Sequence, residues 1–187
     1  TVQNGQVVIS STVAEELFPG IALLTQQTFS ATATEPLTFE IDRSDLDFVL
    51  TTGTGTEVRT GIWVKDGNGN FVFFNDYKAF DGRSFGWRFN KVAGADDDNP
   101  TNSGVNLPAF DGGGFDDGGN HRLKMVVNGT DVKLFIDNVF GGSVAFPFSQ
   151  GLRFGFGAYA DELGNVAIGT FDNALILGGA GDPPVGS

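Results

Sequence analysis

The 187-residue chain contains no cysteine, one histidine and one methionine. The missing cysteines exclude disulfides, thiolate zinc sites and cysteine nucleophiles. A histidine-based nucleophilic triad would have to use His121, whose place at a strand start gives it a structural role instead. Positive charge is scarce as well, with 11 Lys and Arg against 23 Asp and Glu and a formal net charge of −12. Phosphate contacts need clustered Lys and Arg, so the expected partners include no nucleic acid and no anionic membrane surface. No run of 18 apolar residues occurs, so no membrane insertion is expected. Long amphipathic helical patterns, fixed-period repeats and Gly-rich loops opening a helix are missing too.

What is present is aromatic and strand-like. Phe occurs 19 times, Gly 28 times, and 40% of the chain is hydrophobic. That mixture suits short strands between turns and a large core. The clearest stretch is 121–137. His121, Leu123, Met125 and Val127 alternate with Arg122, Lys124 and Val126, an Asn128-Gly129 turn follows, and Val132, Leu134 and Ile136 alternate with Lys133, Phe135 and Asp137. Period-2 alternation around an Asn-Gly turn predicts a hairpin. It pairs Val127 with Val132, Met125 with Leu134 and Leu123 with Ile136, and buries all six on one face.

A second hairpin is predicted over 57–77, turning at Asp66-Gly67-Asn68-Gly69. Pairing Lys65 with Asn70 sets Val64 opposite Phe71 and Ile62 opposite Phe73. The other face then carries Arg59, Trp63, Val72, Phe74 and Asp76. A strand over Ser84–Asn90 follows, with Trp87 and Phe89 on the core side and Arg88 and Asn90 on the other. Earlier strands are expected near Gln6–Ser10, Ile21–Thr28 and Leu37–Thr52, with a helical turn at Ala14–Phe18. Residues 94–120 read as a long loop. In Leu152–Ala158, Phe alternates with Gly and leaves one face of nearly bare backbone, which suits close approach by a ligand or a covering loop. A last strand lies near Gly169–Leu177. Many short strands at this spacing predict an all-β, two-sheet antiparallel jelly-roll sandwich over residues 1–177. Residues 178–187 read as a Gly/Pro-rich linker or tail, and neighbouring domains of a larger chain become expected partners.

The 121–137 hairpin, the strand at Gly151–Ala158, the ending Gly169-Thr-Phe-Asp-Asn173 and the stretch Gly61–Phe71 together resemble the laminin-G-like and concanavalin A-like lectin/glucanase superfamily. The resemblance touches most of residues 20–177. It implies the jelly roll, but the superfamily spans lectins, carbohydrate-binding modules, glycan hydrolases and lyases, and adhesion domains, so fold analogy does not select the activity.

Three sets of site residues emerge. Arg59, Trp63, Phe74, Asp76, Tyr77 and Arg88 offer an aromatic plane, carboxylate and guanidinium forks, which are the parts a sugar ring requires. The competing reading buries Trp63 and Phe74 under a neighbouring loop, as 19 Phe needing cover favour. Glu40, Asp42 and Asp45 resemble the Glu-x-Asp-x-Glu of laminarinase-type glucanases in its bulged form with one extra residue, with Asp45 in place of the expected acid/base Glu. An exposed acidic strand end is the simpler account of them. Asp172 resembles the position at which some members of the fold hold structural Ca²⁺; Asp96–Asn99 and Asp116-Asp117 are alternatives explained equally by solvated loops. Asn128-Gly129-Thr130 is a glycosylation sequon, relevant only in a eukaryotic secretory pathway.

The leading expectation is a non-catalytic, lectin-like carbohydrate-binding module of a secreted or cell-surface protein, taking polysaccharide and possessing a structural Ca²⁺. The alternatives are a glycan-active hydrolase or lyase using Glu40 and Asp45, and a structural or adhesion domain of an extracellular assembly.

Overall fold

The computed structural model describes residues 2–3, 5–12, 21–50, 57–79, 86–92, 105–111, 114–115, 119–129, 131–145, 151–160, 164–178 and 180–181. Its strands are β1 (Val2–Gln3), β2 (Gln6–Thr12), β3 (Ile21–Leu24), β4 (Phe29–Ser30), β5 (Leu37–Val49), β6 (Glu57–Lys65), β7 (Phe71–Ala79) and β8 (Gly86–Val92). After these come β9 (Val105–Asn106), β10 (His121–Asn128), β11 (Asp131–Ile136), β12 (Val139–Ala145), β13 (Arg153–Ala160), β14 (Val166–Gly178) and β15 (Ala180–Gly181). A short 3-10 turn spans Pro108–Phe110.

Two antiparallel sheets face each other in a jelly-roll sandwich. A seven-stranded sheet runs β1-β2-β14-β5-β10-β11-β12, and a six-stranded sheet runs β3-β13-β6-β7-β8-β9. The predicted helical turn at 14–18 lies outside the described residues. Within the stretch 178–187, β15 pairs with β4 as a small separate ladder.

The 121–137 hairpin has the predicted register, with Val127 opposite Val132, Met125 opposite Leu134 and Leu123 opposite Ile136. All six side chains are fully buried. Each such aliphatic side chain contributes about 1.5–3 kcal/mol on burial. β5 lies on the other flank of β10 and adds Leu37, Phe39 and Ile41 to the same inner face. Opposite them stand Ile62, Val64, Val72, Phe74, Trp87 and Phe154 from the six-stranded sheet. Part of the expected 94–120 loop belongs to this core. Leu107 and Phe110 are buried, and Phe110 packs near Phe74, Trp87 and Phe115.

The 57–77 hairpin departs from the predicted register by one residue. Lys65 pairs with Phe71, Trp63 with Phe73 and Ile62 with Phe74. The turn explains the shift. Asp66 and Asn70 close it through a backbone bond of 2.9 Å. The buried Asp66 carboxylate then accepts the backbone N–H groups of Asn68 and Asn70 and the Asn70 side-chain amide, at 2.9, 3.0 and 2.7 Å. The loop is therefore three residues long, with Gly69 at φ 83°. A one-residue slip transfers every side chain of the return strand to the other face. Phe74 and Asp76 point into the core, while Phe73, Asn75 and Tyr77 share the outer face with Trp63.

That outer face is also covered. Trp63, Phe71 and Phe73 form a second apolar cluster against Tyr159, and Trp63 stacks on Phe73 with centroids 3.9 Å apart. The middle seven residues of β6 are consequently buried on both sides of the sheet.

Candidate functional site

The outer face of the six-stranded sheet gathers an unusual set of side chains. In register across β13, β6, β7 and β8, one row reads Tyr159, Arg59, Tyr77, Gly86, and the next reads Gly157, Gly61, Asn75, Arg88. Glu57 sits one strand position outward on β6, and Asn90 lies beyond Arg88 on β8. Strand alternation places all of these on one side.

Glu57 ion-pairs with both Arg59 and Arg88. The Arg59 guanidinium lies 4.9 Å from the Tyr159 ring centroid, and that of Arg88 lies 4.0 Å from the Tyr77 ring. Both tyrosines of the chain are thus stacked on a cation. Asn90 Oδ1 accepts from Arg59 Nη1 at 3.4 Å and from Asn75 Nδ2 at 3.0 Å. Asn75 is fully buried, and its Oδ1 has no hydrogen-bond partner among the described residues. A buried, unused amide oxygen costs about 1–3 kcal/mol and marks a place where a hydroxyl could be received. Glu57 retains 15% side-chain exposure and Tyr159 is half-buried, so the site reaches solvent there.

Four of the six expected ligand-binding residues, Arg59, Trp63, Tyr77 and Arg88, share this face. Phe74 and Asp76 do not; the slipped register turns them inward, and both are 0% exposed. Trp63 is 2% exposed and lies flat on Phe73, so it offers no free stacking plane. Trp87 is in the core, as its neighbours predicted. Glu57, Asn75, Asn90 and Tyr159 were not among the expected ligand-binding residues, although alternation had set Asn90 on the face of Arg88. Tyr159 was legible in principle, because it continues the alternation of Gly155 and Gly157 by one more step.

Glu40 and Asp42 lie on the opposite side of the molecule, on the outer face of the seven-stranded sheet. Arg122 grips both, with Nε 2.9 Å from Glu40 and Nη1 2.6 Å from Asp42. Asn173 donates to the other Asp42 oxygen at 2.8 Å. Burial raises the Asp42 carboxyl, but the hydrogen bonds from Asn173 and Arg122 together with the Arg122 charge outweigh it and hold the group below its ordinary value. The Asp45 side chain lies outside the described residues. Because the Asp42 value is depressed, its contribution to stability is present above the unfolded value of 3.8 and is lost as pH falls below it. Asp42→Asn is expected to melt about 2 °C below the natural protein at neutral pH, a gap that closes in acid; thermal scans across pH measure it. A gap independent of pH would show that Arg122 does not read this charge.

Asp172 accepts the backbone N–H of Asn173 at 2.7 Å. Among the described residues, no three His, Asp or Glu converge closely enough to hold a metal ion. Residues 96–99 and 116–117 lie outside the described set. His121 Nδ1 lies 2.8 Å from Asp137, and its ring is edge-on to Trp87, which fits the structural role expected of it. The spacing Gly82-x-Ser84-x-Gly86 precedes strand β8, and residues 82–85 lie outside the described residues. A cavity of about 390 Å³ opens beside β3, but its walls are mainly Leu23, Leu24, Phe39, Phe154, Phe156 and Ile176. It presents no charge and no acid or base.

No protein-family model matches the sequence, and no curated protein matches it. Solved structures do match. An alginate lyase of Polysaccharide Lyase family 7 superposes with a TM-score of 0.58 at 13% identity, covering 96% of this chain and 82% of its own. A marine alginate lyase from Zobellia galactanivorans gives 0.56 at 12% identity, with coverages of 81% and 64%. The β-glucanase of Bacillus licheniformis gives 0.50 at 12%, with coverages of 90% and 79%. The likeness establishes the concanavalin A-like jelly roll that the hairpins resembled. It also overturns the leading expectation of a non-catalytic, lectin-like module, since the solved structures named above are two alginate lyases and a β-glucanase and the expected stacking residue Trp63 is buried. No described helix is long and apolar enough to cross a membrane.

Proposed function

We propose that this protein is a glycan-active lyase that cleaves an acidic polysaccharide at the outer face of the six-stranded sheet. The observation that carries the reading is the convergence of Arg59, Arg88, Tyr77, Tyr159, Asn75 and Asn90 on one face of a chain whose net charge is −12. A chain so acidic repels polyanions in general, so two clustered arginines flanked by amides amount to a local anion receptor.

The chemistry of a uronate polymer matches those parts. Elimination removes the proton from C5, beside the carboxylate, forms a C4=C5 double bond and expels the glycosidic oxygen from C4. The carboxylate must be neutralised so that charge can build on it, which guanidinium and amide donors do. In this reading Arg59, Arg88 and the Asn90 amide hold the carboxylate, and Asn75 Oδ1 accepts a sugar hydroxyl. The oxygen of Tyr159, as phenolate, takes the C5 proton and returns it to the departing oxygen. The Arg59 guanidinium stands 4.9 Å from the centroid of the Tyr159 ring. No oxidant or reductant is required.

A hydrolase fits less well. Retaining hydrolysis needs two carboxyl groups about 5 Å apart. Among the described residues, Glu57 is the one carboxylate on this face, and it is bound by both arginines. Glu40 and Asp42 are engaged by Arg122 on the other sheet. A polymeric substrate also favours a protein acting outside the cell.

The test is incubation with a panel of acidic and neutral polysaccharides. Ultraviolet absorbance from the conjugated, unsaturated uronate is expected to rise with at least one acidic polymer and with no neutral glucan. Silence across every acidic polymer, or reducing ends released without that absorbance, would defeat the proposal. Running the panel with and without a chelator also tests the calcium expected at Asp172.

A further inference from the structure

Behind the candidate site, a charged side chain crosses the core. Arg43 stands on the inner face of β5, in the seven-stranded sheet, and is 0% exposed. Its Nη1 donates to Asp76 Oδ2 at 2.9 Å and to Thr60 Oγ1 at 3.4 Å. Its guanidinium carbon lies 5.1 Å from the Trp87 ring centroid. Thr60, Asp76 and Trp87 are not a random trio. They are mutual register partners, one row straight across β6, β7 and β8.

On the opposite face of those strands, the two flanking rows are the candidate site. Arg59 and Gly61 bracket Thr60, Asn75 and Tyr77 bracket Asp76, and Gly86 and Arg88 bracket Trp87. Arg59, Asn75, Tyr77 and Arg88 are therefore each one peptide unit from a group that Arg43 touches. Because side chains alternate along a strand, fixing the inner row fixes the backbone that aims the outer two.

Stability does not account for this contact. The Arg43–Asp76 pair is wholly desolvated. Well-packed apolar residues of similar volume are generally as stable as a buried ion pair, or more so. Arg43 Nε and Nη2 find no hydrogen-bond partner among the described residues, so the pair is not even fully satisfied. His121, beside Arg43 on β10, is edge-on to Trp87 and steadies that ring from the same side.

We infer that Arg43 is a positioning residue, a strut through the core that holds the three site strands at the spacing their outer face needs. The inference rests on the reading of that face as the working site. Displacing reacting groups by about 1 Å costs on the order of 100-fold in rate. The apolar double variant Arg43→Met/Asp76→Leu is expected to fold with a melting temperature no lower than that of the natural protein. Its kcat on the acidic polymer is expected to fall about 100-fold with KM within about threefold. Arg43→Lys keeps the charge but not the fork, and is expected to retain more of kcat than the double variant does. A folded double variant with natural kcat overturns the inference. Should the double variant not fold, Arg43→Lys decides: unchanged kcat overturns the strut, and reduced kcat in a folded protein upholds it.

A second readout separates this inference from the lyase reading. If the natural protein cleaves no glycan, the proposed function fails, and the strut is tested by NMR alone. The Nε–H resonances of Arg59 and Arg88 and the ring resonances of Tyr77 and Tyr159 are expected to shift in the folded variant. They are expected to stay in place in Leu134→Val, a core control on β11 two strands from β5. Unshifted resonances in the folded Arg43 variant overturn the strut whatever the activity.

Discussion

Tyr159→Phe is expected to lower kcat on the acidic polymer by about 10²–10⁴-fold, the usual weight of a proton-transfer group, while KM stays within about threefold. The substitution removes one oxygen and nothing else. A phenylalanine ring still lies under the Arg59 guanidinium, 4.9 Å away in the natural protein, and still packs against Trp63, Phe71 and Phe73. The melting temperature should therefore stay within about 1–2 °C, as for substitutions that leave packing intact. Substrate binding belongs to other groups, the Arg59 and Arg88 forks and the Asn75 and Asn90 amides, which is why KM is spared. Tyr77→Phe is the comparison. Tyr77 is 7% exposed, stacked at 4.0 Å on Arg88 and wedged so close to Gly86 that an added methyl there would stand 2.9 Å from its ring. A ring so enclosed suits a wall more than a mobile acid, and its hydroxyl is expected to matter less. If Tyr159→Phe keeps kcat within about threefold, the proton moves elsewhere; if Tyr77→Phe shows the larger loss, the two roles are exchanged.

How far the site could be read from sequence was decided at the Asp66–Asn70 turn. The 121–137 hairpin was fully legible, because both its arms alternate strictly and only one face of it is apolar. A slip there would have exposed Met125 and Leu134, so the pattern itself enforces the register. The 57–77 hairpin gives no such signal. Phe71, Val72, Phe73 and Phe74 are consecutive and apolar, since the sheet is buried on both faces there and either register buries something large. The choice fell instead to one carboxylate, Asp66, which captures Asn68 and Asn70 and shortens the loop to three residues. That decision exchanged Phe74 and Asp76 for Phe73 and Asn75 and kept Tyr77 on the outer face. It hid Asn75, the residue with the unused buried oxygen, and turned Asp76 from a ligand contact into the partner of Arg43. Glu40 and Asp42 misled for a different reason. Alternation correctly placed them on one strand face, but it does not reveal that Arg122, some 80 residues away in sequence, stands across from both. The bare-backbone strand at 152–158 was read as a place for close approach. It borders the site through Gly157, and its next outward residue is Tyr159.

Gly61→Ala is expected to be strongly damaging, because the spacing of β6 and β7 leaves no room for a methyl group. A Cβ at Gly61 would meet the Phe74 carbonyl oxygen, with Asn75 Cα at 2.7 Å and the Phe74 carbonyl carbon at 2.9 Å. These are backbone atoms of the paired strand and cannot rotate away. The strands must part, and the row Gly61–Asn75–Arg88 must open with them. Overpacking of this kind costs about 3 kcal/mol, which lowers the melting temperature of a chain this size by about 6–12 °C. Whatever fraction remains folded is expected to bind the acidic polymer poorly as well, because Asn75 and Arg88 share the displaced row. Gly67→Ala in the adjoining turn is the control. A Cβ there meets nothing within 4 Å, and its φ is not in the left-handed region, so stability should change by no more than about 0.5 kcal/mol. Thermal unfolding of the two variants side by side separates a steric cost at one point from a general intolerance of the hairpin to alanine. A melting temperature for Gly61→Ala within about one degree of the natural protein would mean that β6 and β7 are further apart than described, and the site rows built on their register would lose their footing.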